Sequence, residues 1–409
     1  MEASVLYISY DGLLDPLGQS QVLPYVRELA RRGTTMRVIS FEKPELTTPE
    51  AIGRIRNELE ATGAKWYPLR YHSSPTVPAT VWDIWQGIKL ARKLAQRERI
   101  NIIHARSYIA GMIALAVKRQ TGAKFLFDMR GFWPDERVEG GSWKQGGVLF
   151  KTFKHIEQKL LAGADGIVSL THRGVDIITR DLLPNVRRDI PPMAVIPTCA
   201  DLELFRPSLG RVLPGDSGIK LVYLGSLGSW YMLEPMLAFF AALKHQAPGS
   251  TLRLLTGSPA PMVEEAARAL QLDKSVRDAI SIGKKPHDQV PLELAGADCS
   301  IFFIRPSFSK QASCATKFAE SLACGVPVVI NSGVGDHDNH LRNRGIGIVL
   351  DKLDEQSYES AARELLELLA NSETSDRCRS AAEQGFSLAG AVKQYGELYG
   401  RLIGGGEQR

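Results

Sequence analysis

The feature that most constrains the fold is an alternation of short apolar segments with amphipathic segments. In the N-terminal half the apolar segments are typical of β-strands: SVLYISY, TMRVISF, INIIHA, KFLFDM, GIVSL and MAVIP. Helical patterns lie between them, in SQVLPYVRELARRG and over 80–98, 108–121 and 148–162. Strands that alternate with helices in this way predict an α/β fold, with a parallel sheet covered on both faces.

The alternation stops at the Pro- and Gly-rich stretch SLGRVLPGDSG and then begins again. The second series of strands is IKLVYLG, STLRLLTG, ISIG, CSIFFI, VPVVIN and GIGIVL. Because 409 residues are too many for one ordinary core, we predict two Rossmann-like domains, over 1–205 and 218–386. A helical segment within 388–409 follows the second sheet, and we expect it to return to the first domain.

Composition and charge narrow the class of protein. The chain is 44% hydrophobic and 23% charged, as soluble globular proteins are. Its five cysteines are scattered without CxxC spacing, which favours a reduced cytoplasmic compartment and no structural zinc.

Charge is distributed unevenly along the chain. Residues 1–200 hold 28 Lys+Arg against 20 Asp+Glu, or +8, whereas 201–409 hold 22 against 25, or −3. The basic half suits a phospholipid surface or a pyrophosphate-bearing acceptor, and an ordinary soluble basic face is the alternative.

Three loops follow strands at the edge where α/β folds bind ligands. The first, YDGLLDPLGQSQ, contains Gly18 and leads into a helix whose free N–H groups suit a phosphate or a sugar hydroxyl. The second, FDMRGFWPDERVEGG, carries its polar groups among aromatic rings, a combination that suits a sugar: Asp128, Arg130, Trp133, Asp135 and Glu136. A salt-bridged surface loop is the alternative interpretation of this second segment.

The third loop leads into the helical segment TKFAESLA. Lys317 and Glu320 are spaced i, i+3, so they share one face of that helix. A lysine can neutralise a phosphate, a glutamate can accept two ribose hydroxyls, and Ser313 and Thr316 add hydroxyl groups. This combination suits a nucleoside diphosphate, whereas a plain surface ion pair is the alternative.

Several segments resemble glycosyltransferase family 4, a family with the GT-B fold of two facing Rossmann-like domains. TKFAESLACGVPVV is similar to the family signature xKxxExLAxGxPVV. VYLGSLGSWY, VIPTCADLELFRP and LGQSQVLPYVRELARRGTTMRVISF resemble its donor-domain opening, its linker and its first βαβ unit. The resemblance covers nearly the whole chain. It implies a retaining, nucleotide-sugar-dependent transferase that uses no metal and no cofactor.

The resemblance also implies site residues. Glu320 matches the ribose-binding glutamate, and Lys317 occupies the position of a lysine near the diphosphate. Gly18 matches the glycine loop that approaches the transferred sugar. The matching segments add to the donor side Gly225, Ser226, Gly283 and Lys284. The segment IGKKPHDQV matches the loop that holds the base.

Three departures from the family pattern change groups that are charged or titratable in the family. Ala312 stands where a first glutamate is expected, and Ser226 and, roughly, Trp230–Met232 stand where many members carry Arg and Lys. Arg130, in DMRG, replaces a histidine. The cations that remain are Arg130, Arg305, Lys310 and Lys317. We therefore predict Arg130, Asp128, Lys317 and Glu320 as catalytic, and we add Arg305 to the donor-binding residues.

Other polar or aromatic features have two interpretations. His104, at a strand end, suits either the acceptor side, with Trp133, Asp135 and Glu136, or a structural hydrogen bond. The helix over 80–98 carries Trp82 and Trp85 beside several basic residues, a pattern of interfacial helices, although tryptophans in the core are the alternative. The DHD at 336–338 resembles a metal motif of a different fold, and we do not interpret it as one.

The sequence therefore predicts a cytoplasmic glycosyltransferase that transfers a sugar from UDP or GDP to a glycan or lipid-linked hydroxyl. The expected context is bacterial exopolysaccharide, lipopolysaccharide or glycolipid synthesis, without nucleic acid. Peripheral contact with the inner face of the cell membrane through the basic half stays open. Two alternatives are a nucleotide-sugar 2-epimerase of the same fold and a non-catalytic homologue that binds glycan or nucleotide.

Overall fold

The computed structural model describes residues 2–208, 218–228, 230–286 and 289–404. These residues form two compact units, Met1–Pro197 with Leu388–Arg409, and Thr198–Ser387. Positions 287–288, inside the predicted base-binding loop, lie outside the described residues, as do 209–217 of the predicted linker and 405–409 of the predicted final helix.

The first unit contains a parallel sheet of seven strands, counted over the described residues. The strands are β1 (Ser4–Ser9), β2 (Thr35–Glu42), β3 (Lys65–Arg70), β4 (Ile102–Arg106), β5 (Lys124–Asp128), β6 (Gly166–Ser169) and β7 (Met193–Val195). The helices of this part of the chain are α1 (Pro16–Gln21), α2 (Leu23–Arg31), α3 (Pro49–Glu60), α4 (Thr76–Arg97), α5 (Ser107–Thr121), α6 (Trp133–Glu139), α7 (Val148–Gly163) and α8 (His172–Ile177).

The second unit contains a six-stranded parallel sheet within its described part. Its strands are β8 (Lys220–Leu224), β9 (Thr251–Leu255), β10 (Ile280–Gly283), β11 (Cys299–Phe302), β12 (Val328–Asn331) and β13 (Gly347–Leu350). Its helices are α9 (Leu233–Gln246), α10 (Ala260–Ala269), α11 (Lys274–Arg277), α12 (Val290–Ala295), α13 (Thr316–Ala323), α14 (His337–Arg344), α15 (Glu355–Ala370) and α16 (Thr374–Gly385). The last helix, α17 (Leu388–Gly404), belongs to the first unit.

Strand order locates the ligand-binding edge of each sheet. The first sheet runs β3-β2-β1-β4-β5-β6-β7, and the second runs β10-β9-β8-β11-β12-β13. In each, the order reverses beside the first strand, between β1 and β4 and between β8 and β11. Parallel sheets bind ligands at the carboxyl ends of the strands next to such a reversal. The predicted α/β class and the two Rossmann-like sheets are confirmed.

The first unit ends earlier than the predicted residue 205, because 198–205 pack with the second unit. The Thr198 hydroxyl donates to the Cys314 carbonyl at 3.1 Å. Phe205 is 3% exposed in the second core, and Arg379 donates to its carbonyl at 2.8 Å. These contacts are made by side chains distant in sequence, which the segment itself does not reveal.

The single helix predicted from SQVLPYVRELARRG is wrong, since the structure has two helices there. Helix α1 ends at Gln21, and α2 begins at Leu23. Val22 between them has a φ of −126° and a ψ of −57°. Pro24 has no N–H to donate to a carbonyl of the preceding turn, so the helical hydrogen bonding is interrupted here.

Candidate active site

Lys317 lies at the carboxyl edge of the second sheet, among aromatic rings. Its Nζ is 3.4 Å from the centroid of the Tyr231 ring and 4.3 Å from that of Tyr223. A Cβ placed on Gly225 would lie 3.0 Å from this Nζ, so the lysine reaches the end of β8. The Nζ is buried without a hydrogen-bond partner among the described residues. A buried amine without a hydrogen-bond partner is unusual in proteins, which makes Lys317 a candidate functional residue.

Glu320 lies one turn further along α13, and Lys317 and Glu320 are each only 6% exposed. Burial lowers the pKa of Lys317 well below its ordinary value, and the Glu320 carboxylate opposes this only in part. Burial also raises the pKa of Glu320 to about 7, against the attraction of Lys317. Two strongly shifted neighbours in one location are a recognised sign of a functional site.

Two further cations are held on one tryptophan. Lys310 Nζ is 3.7 Å from the centroid of the Trp230 ring, and the Arg305 guanidinium carbon is 5.0 Å from it. Backbone pairing fixes the ring, since Arg305 N donates to Trp230 O and Met232 N donates to Phe303 O, both at 2.9 Å. The aromatic residues that replace the expected cations therefore collect cations from the loop after β11.

The start of α13 is fixed by a buried histidine. The Ala315 N–H donates to His337 Nε2 at 3.2 Å, and His337 Nδ1 is 3.1 Å from the Val334 carbonyl. Burial lowers the pKa of His337 to about 4, so the ring is neutral and its Nδ1–H faces the carbonyl. Thr316 opens the helix, and the Ser313 hydroxyl is 3.5 Å from the Ser309 carbonyl. His337 of the DHD motif therefore stabilises the start of α13.

The other predicted donor-side residues lie at the same edge of the second sheet. Gly225 has a φ of +123°, a conformation that favours glycine. The carbonyl of Ser226, next to it, accepts a hydrogen bond from the Tyr223 hydroxyl at 2.5 Å. Gly283 ends β10, and Lys284 follows it. All four follow or end a strand of this sheet, as Arg305 does.

In the first unit, Arg130 has a strained backbone directly after β5. Its φ is +60°, which is uncommon for a residue with a side chain, and Gly131 follows with a φ of +129°. The Arg130 guanidinium is 4.0 Å from Asp128 Oδ2, and its side chain is 11% exposed. Burial disfavours its charge, but the Asp128 carboxylate and three neighbouring tyrosines together outweigh this and raise the pKa of Arg130. Strain of this kind is concentrated at functional sites.

Asp128 connects Arg130 to the last helix of the chain. The Tyr395 hydroxyl of α17 donates to Asp128 Oδ2 at 3.0 Å, and His104 Nε2 is 3.5 Å from the same oxygen. Burial opposes ionisation of Asp128, yet Arg130 and His104 hold the pKa of its carboxyl below its usual value. His104 Nδ1 in turn is 2.7 Å from the Tyr399 hydroxyl, also on α17.

This arrangement corrects two predictions. Asp128 is 1% exposed and His104 is fully buried, so neither can contact an acceptor or a sugar directly in this structure. Burial lowers the pKa of His104, which favours the neutral ring. The structural interpretation of His104 is therefore correct, and Asp128 is a positioning residue for Arg130.

The predicted acceptor-side residues of α6 are partly engaged in packing. The Trp133 ring lies 4.8 Å from the Phe153 ring and 5.1 Å from that of Trp143, between centroids. Asp135 accepts a hydrogen bond from Lys154 at 3.1 Å. Trp133, Asp135 and Glu136 are all half-buried, so each retains some accessible surface.

Gly18 has a packing role in the structure, and its contact with the transferred sugar stays a prediction. Gly18 lies inside α1, where a Cβ would be 1.8 Å from the Gly12 carbonyl oxygen. The loop before it is held by the buried Glu42, which accepts from the N–H groups of Leu13 at 2.8 Å and Leu14 at 3.0 Å. Glycine is needed at position 18 because the loop backbone passes so close to the helix.

Sequence analysis missed one charged pair at the first sheet. Arg106, at the end of β4, donates to Asp11, which follows β1, at 3.1 Å. These are the two strands between which the sheet order reverses. Both residues follow predicted strands, so their position at this edge of the sheet could have been predicted. Neither belongs to a local motif that would have drawn attention to the pair.

Within the part of the chain that the structure describes, no cluster of three or more His, Cys, Asp or Glu side chains could hold a metal ion.

Two family models match the chain, one for each unit. Residues 18–194 match the glycosyl transferase 4-like domain. Residues 213–385 match glycosyl transferases group 1, which includes the Lys317 and Glu320 segment. The chain is a glycosyltransferase. Its two parallel-sheet α/β units have the GT-B arrangement of domains along the chain.

Solved structures support the fold of this glycosyltransferase over its full length. Sucrose-phosphate synthase from Thermosynechococcus elongatus is 16% identical, with a TM-score of 0.72, and covers 99% of this chain and 100% of its own. Anabaena HepE, solved with UDP and glucose, is 12% identical, with a TM-score of 0.65 and coverages of 97% and 99%. A putative UDP-N-acetylglucosamine 2-epimerase from Listeria monocytogenes is 14% identical, with a TM-score of 0.60 and coverages of 99% and 98%. At these identities the likeness concerns the fold.

Curated proteins gave no match to this glycosyltransferase. No helix within its described residues has the length and apolar character needed to span a membrane.

Proposed function

We propose that this glycosyltransferase transfers a sugar from a nucleoside-diphosphate sugar to a hydroxyl of a glycan or lipid-linked acceptor, with retention of the anomeric configuration. One observation carries the proposal. Lys317, Arg305 and Lys310 are gathered on the rings of Tyr231 and Trp230 at the reversal point of the second sheet. Three basic side chains in one place suit the two phosphates of such a donor.

The chemistry follows from where charge develops. As the bond between the sugar C1 and the diphosphate oxygen breaks, negative charge builds on the leaving diphosphate. Lys317, Arg305 and the first N–H groups of α13 supply the opposite charge. A new bond forms between C1 and the acceptor oxygen, and the acceptor proton passes to the leaving diphosphate. This route requires no protein base, cofactor or metal.

We assign the nucleoside to the second unit. Glu320 lies one turn beyond Lys317, at a distance that suits the ribose hydroxyls when Lys317 contacts the phosphates. The loop after β10, with Gly283 and Lys284, is proposed to hold the base. UDP or GDP fits this description, and the UDP bound by HepE favours the uridine nucleotide as the first to test.

We assign the acceptor to the first unit, where Arg130 is the candidate contact with the reacting sugar or acceptor. Trp133 and Glu136 keep accessible surface beside it and complete the proposed acceptor side. A polysaccharide or glycolipid precursor of the bacterial cytoplasm is the acceptor class that we propose.

A panel of UDP- and GDP-sugars tests the proposal through thermal shift and then through transfer. A ligand at 100 times its Kd raises the free energy of unfolding by about 2.7 kcal/mol, which is readily detected. We expect stabilisation by one nucleotide sugar and release of its diphosphate only with acceptor. Isomerisation of the donor without acceptor would favour the epimerase, and binding without any turnover would favour a non-catalytic homologue.

A further inference from the structure

The outward face of α4 carries large apolar side chains, whereas its buried positions are mostly small, with Leu94 as the large apolar exception. Val77, Val81, Trp82 and Trp85 are between 49% and 60% exposed. The buried positions of the same helix include Ala79, Gly87, Ala91 and Ala95. Amphipathic helices on soluble proteins normally have the reverse distribution, with large apolar groups inside. The alternative of core tryptophans is therefore wrong for this helix.

Close packing on the inner side fixes which face is turned outward. A Cβ on Gly87 would lie 2.5 Å from Ile113 Cδ1, so the helix sits directly on α5. Asp83, fully buried, accepts from the Tyr10 hydroxyl at 3.0 Å and is 2.6 Å from His72 Nδ1. Because Asp83 lies between the two tryptophans in sequence, their outward direction is determined by this anchored residue.

The two tryptophans form one surface that continues into a basic segment. Their rings are stacked with centroids 5.0 Å apart, and Lys89 Nζ lies 5.4 Å from the Trp85 centroid. Beyond Lys89 the exposed residues of the helix include Arg92, Lys93 and Arg97. The outward face is thus apolar and aromatic in its first half and cationic in its second.

We propose that this outward face of α4 docks on an anionic lipid surface. Exposed indole rings settle at the boundary between headgroups and acyl chains, and lysine and arginine attract anionic headgroups. A second copy of the chain is a poorer occupant, because an isologous dimer would pair this face with itself, and Asp83, the acidic residue of α4, is buried and cannot complement the exposed cations. The proposal does not depend on the identity of the donor or acceptor.

Vesicle cosedimentation tests the proposal with the full-length protein. We expect binding to mixed phosphatidylcholine–phosphatidylglycerol vesicles, weak binding to pure phosphatidylcholine, and loss of binding at high salt. Trp82→Ser/Trp85→Ser and Lys89→Gln/Arg92→Gln/Lys93→Gln should each weaken binding by about tenfold or more. The matched controls are Met262→Ser/Leu292→Ser and Arg268→Gln/Lys274→Gln/Lys352→Gln, which alter exposed residues of the second unit and should bind as the parent does.

Other results would overturn the proposal. Absence of vesicle binding, equal binding to neutral and anionic vesicles, or unchanged binding by the α4 variants would each do so. A change of oligomeric state in the tryptophan variant, seen by light scattering, without a change in vesicle binding would assign the face to self-association. Thermal unfolding verifies that each variant is folded. Stabilisation by nucleotide sugars, measured in parallel without vesicles, tests the proposed donor independently.

Discussion

The Tyr395 hydroxyl donates a 3.0 Å hydrogen bond to Asp128 Oδ2, and 267 residues of chain separate the two. Through this bond the last helix is joined to the end of β5, directly before the strained Arg130. Tyr399, one turn later, makes the parallel contact to His104 at 2.7 Å. The C-terminal helix therefore supports the residues that position Arg130, in addition to completing the first unit.

Tyr395→Phe should lower kcat more than Tyr399→Phe does. Both changes remove one buried hydroxyl hydrogen bond, at a cost of about 1–3 kcal/mol in the free energy of unfolding. Only Tyr395 contacts the carboxylate that lies beside Arg130. Denaturant unfolding and steady-state kinetics on both variants provide the comparison, and an equal effect on kcat would show that the network is only structural.

Arg130→Lys should lose most of the activity although it keeps the positive charge. A lysine cannot donate two parallel hydrogen bonds from a planar group, as an arginine does. We expect donor affinity to weaken less than kcat falls. Arg130→Gly is the companion variant, because glycine adopts a φ of +60° without strain.

The Arg130→Gly protein should be inactive and folded but less stable than the parent, because the buried Asp128 carboxylate loses its cation and relief of backbone strain offsets this cost only in part. Calorimetry measures the stability of each variant and steady-state kinetics its activity, and together they distinguish a catalytic from a structural role of Arg130. Full activity of the Lys variant, or an unfolded Gly variant, would make Arg130 a structural residue.

The fold and the second-unit site were accessible from sequence because their signals are local. Strand and helix periods are visible in short windows, and Lys317 and Glu320 lie within one helical segment. From the sequence, Trp230 was interpreted only as a residue that replaces an expected cation, because nothing in the sequence pairs it with Arg305 and Lys310. That contact depends on backbone pairing between two loops.

Errors in the first unit came from contacts between distant segments. Asp128 and His104 have the composition of site residues, and their burial depends on tyrosines near the other end of the chain. Trp82 and Trp85 are the opposite case, because the sequence allowed a buried position and the structure exposes both rings. A helical pattern alone does not distinguish an inward from an outward aromatic face, whereas the close approach at Gly87 does.

Activity should persist in EDTA. The proposed charge on the leaving diphosphate is met by Lys317, Arg305 and backbone N–H groups, so removal of divalent cations should change kcat/KM little. Transfer assays with EDTA, and with EDTA followed by Mg²⁺ or Mn²⁺, provide the measurement. Complete loss restored by either ion would contradict the mechanism and direct attention back to residues 336–338.

Glu320→Gln should stabilise the protein above pH 7. The folded-state pKa of Glu320 is raised to about 7 from 4.5. Between these values the folded protein holds a proton that the unfolded chain has released, so the free energy of unfolding contributed by this group falls as pH rises. Glutamine carries no charge, and the variant should gain on the order of 1–3 kcal/mol over the parent above pH 7.

Urea unfolding from about pH 4 to pH 8 measures this difference, with Glu367→Gln as an exposed control. The two proteins should converge toward low pH, where Glu320 is protonated in both states. Donor affinity should fall in the same variant, because glutamine replaces the proposed ribose acceptor. A stability difference that is constant with pH would mean that Glu320 is not raised in pKa.

Lys317→Met should lower kcat/KM by roughly 10²–10³ without destabilising the protein. Methionine retains the length of the side chain and removes the amine whose pKa burial has lowered.

Because diphosphate binding places negative charge beside Lys317 Nζ, it should raise the pKa of that amine and draw up to one proton from solution. Calorimetric titration with UDP in buffers of different ionisation enthalpy measures the uptake. Arg305→Ala is the matched control, since it should weaken donor binding yet retain the proton uptake attributed to Lys317. Proton uptake that persists in Lys317→Met, or near-normal turnover by that variant, would remove Lys317 from the site.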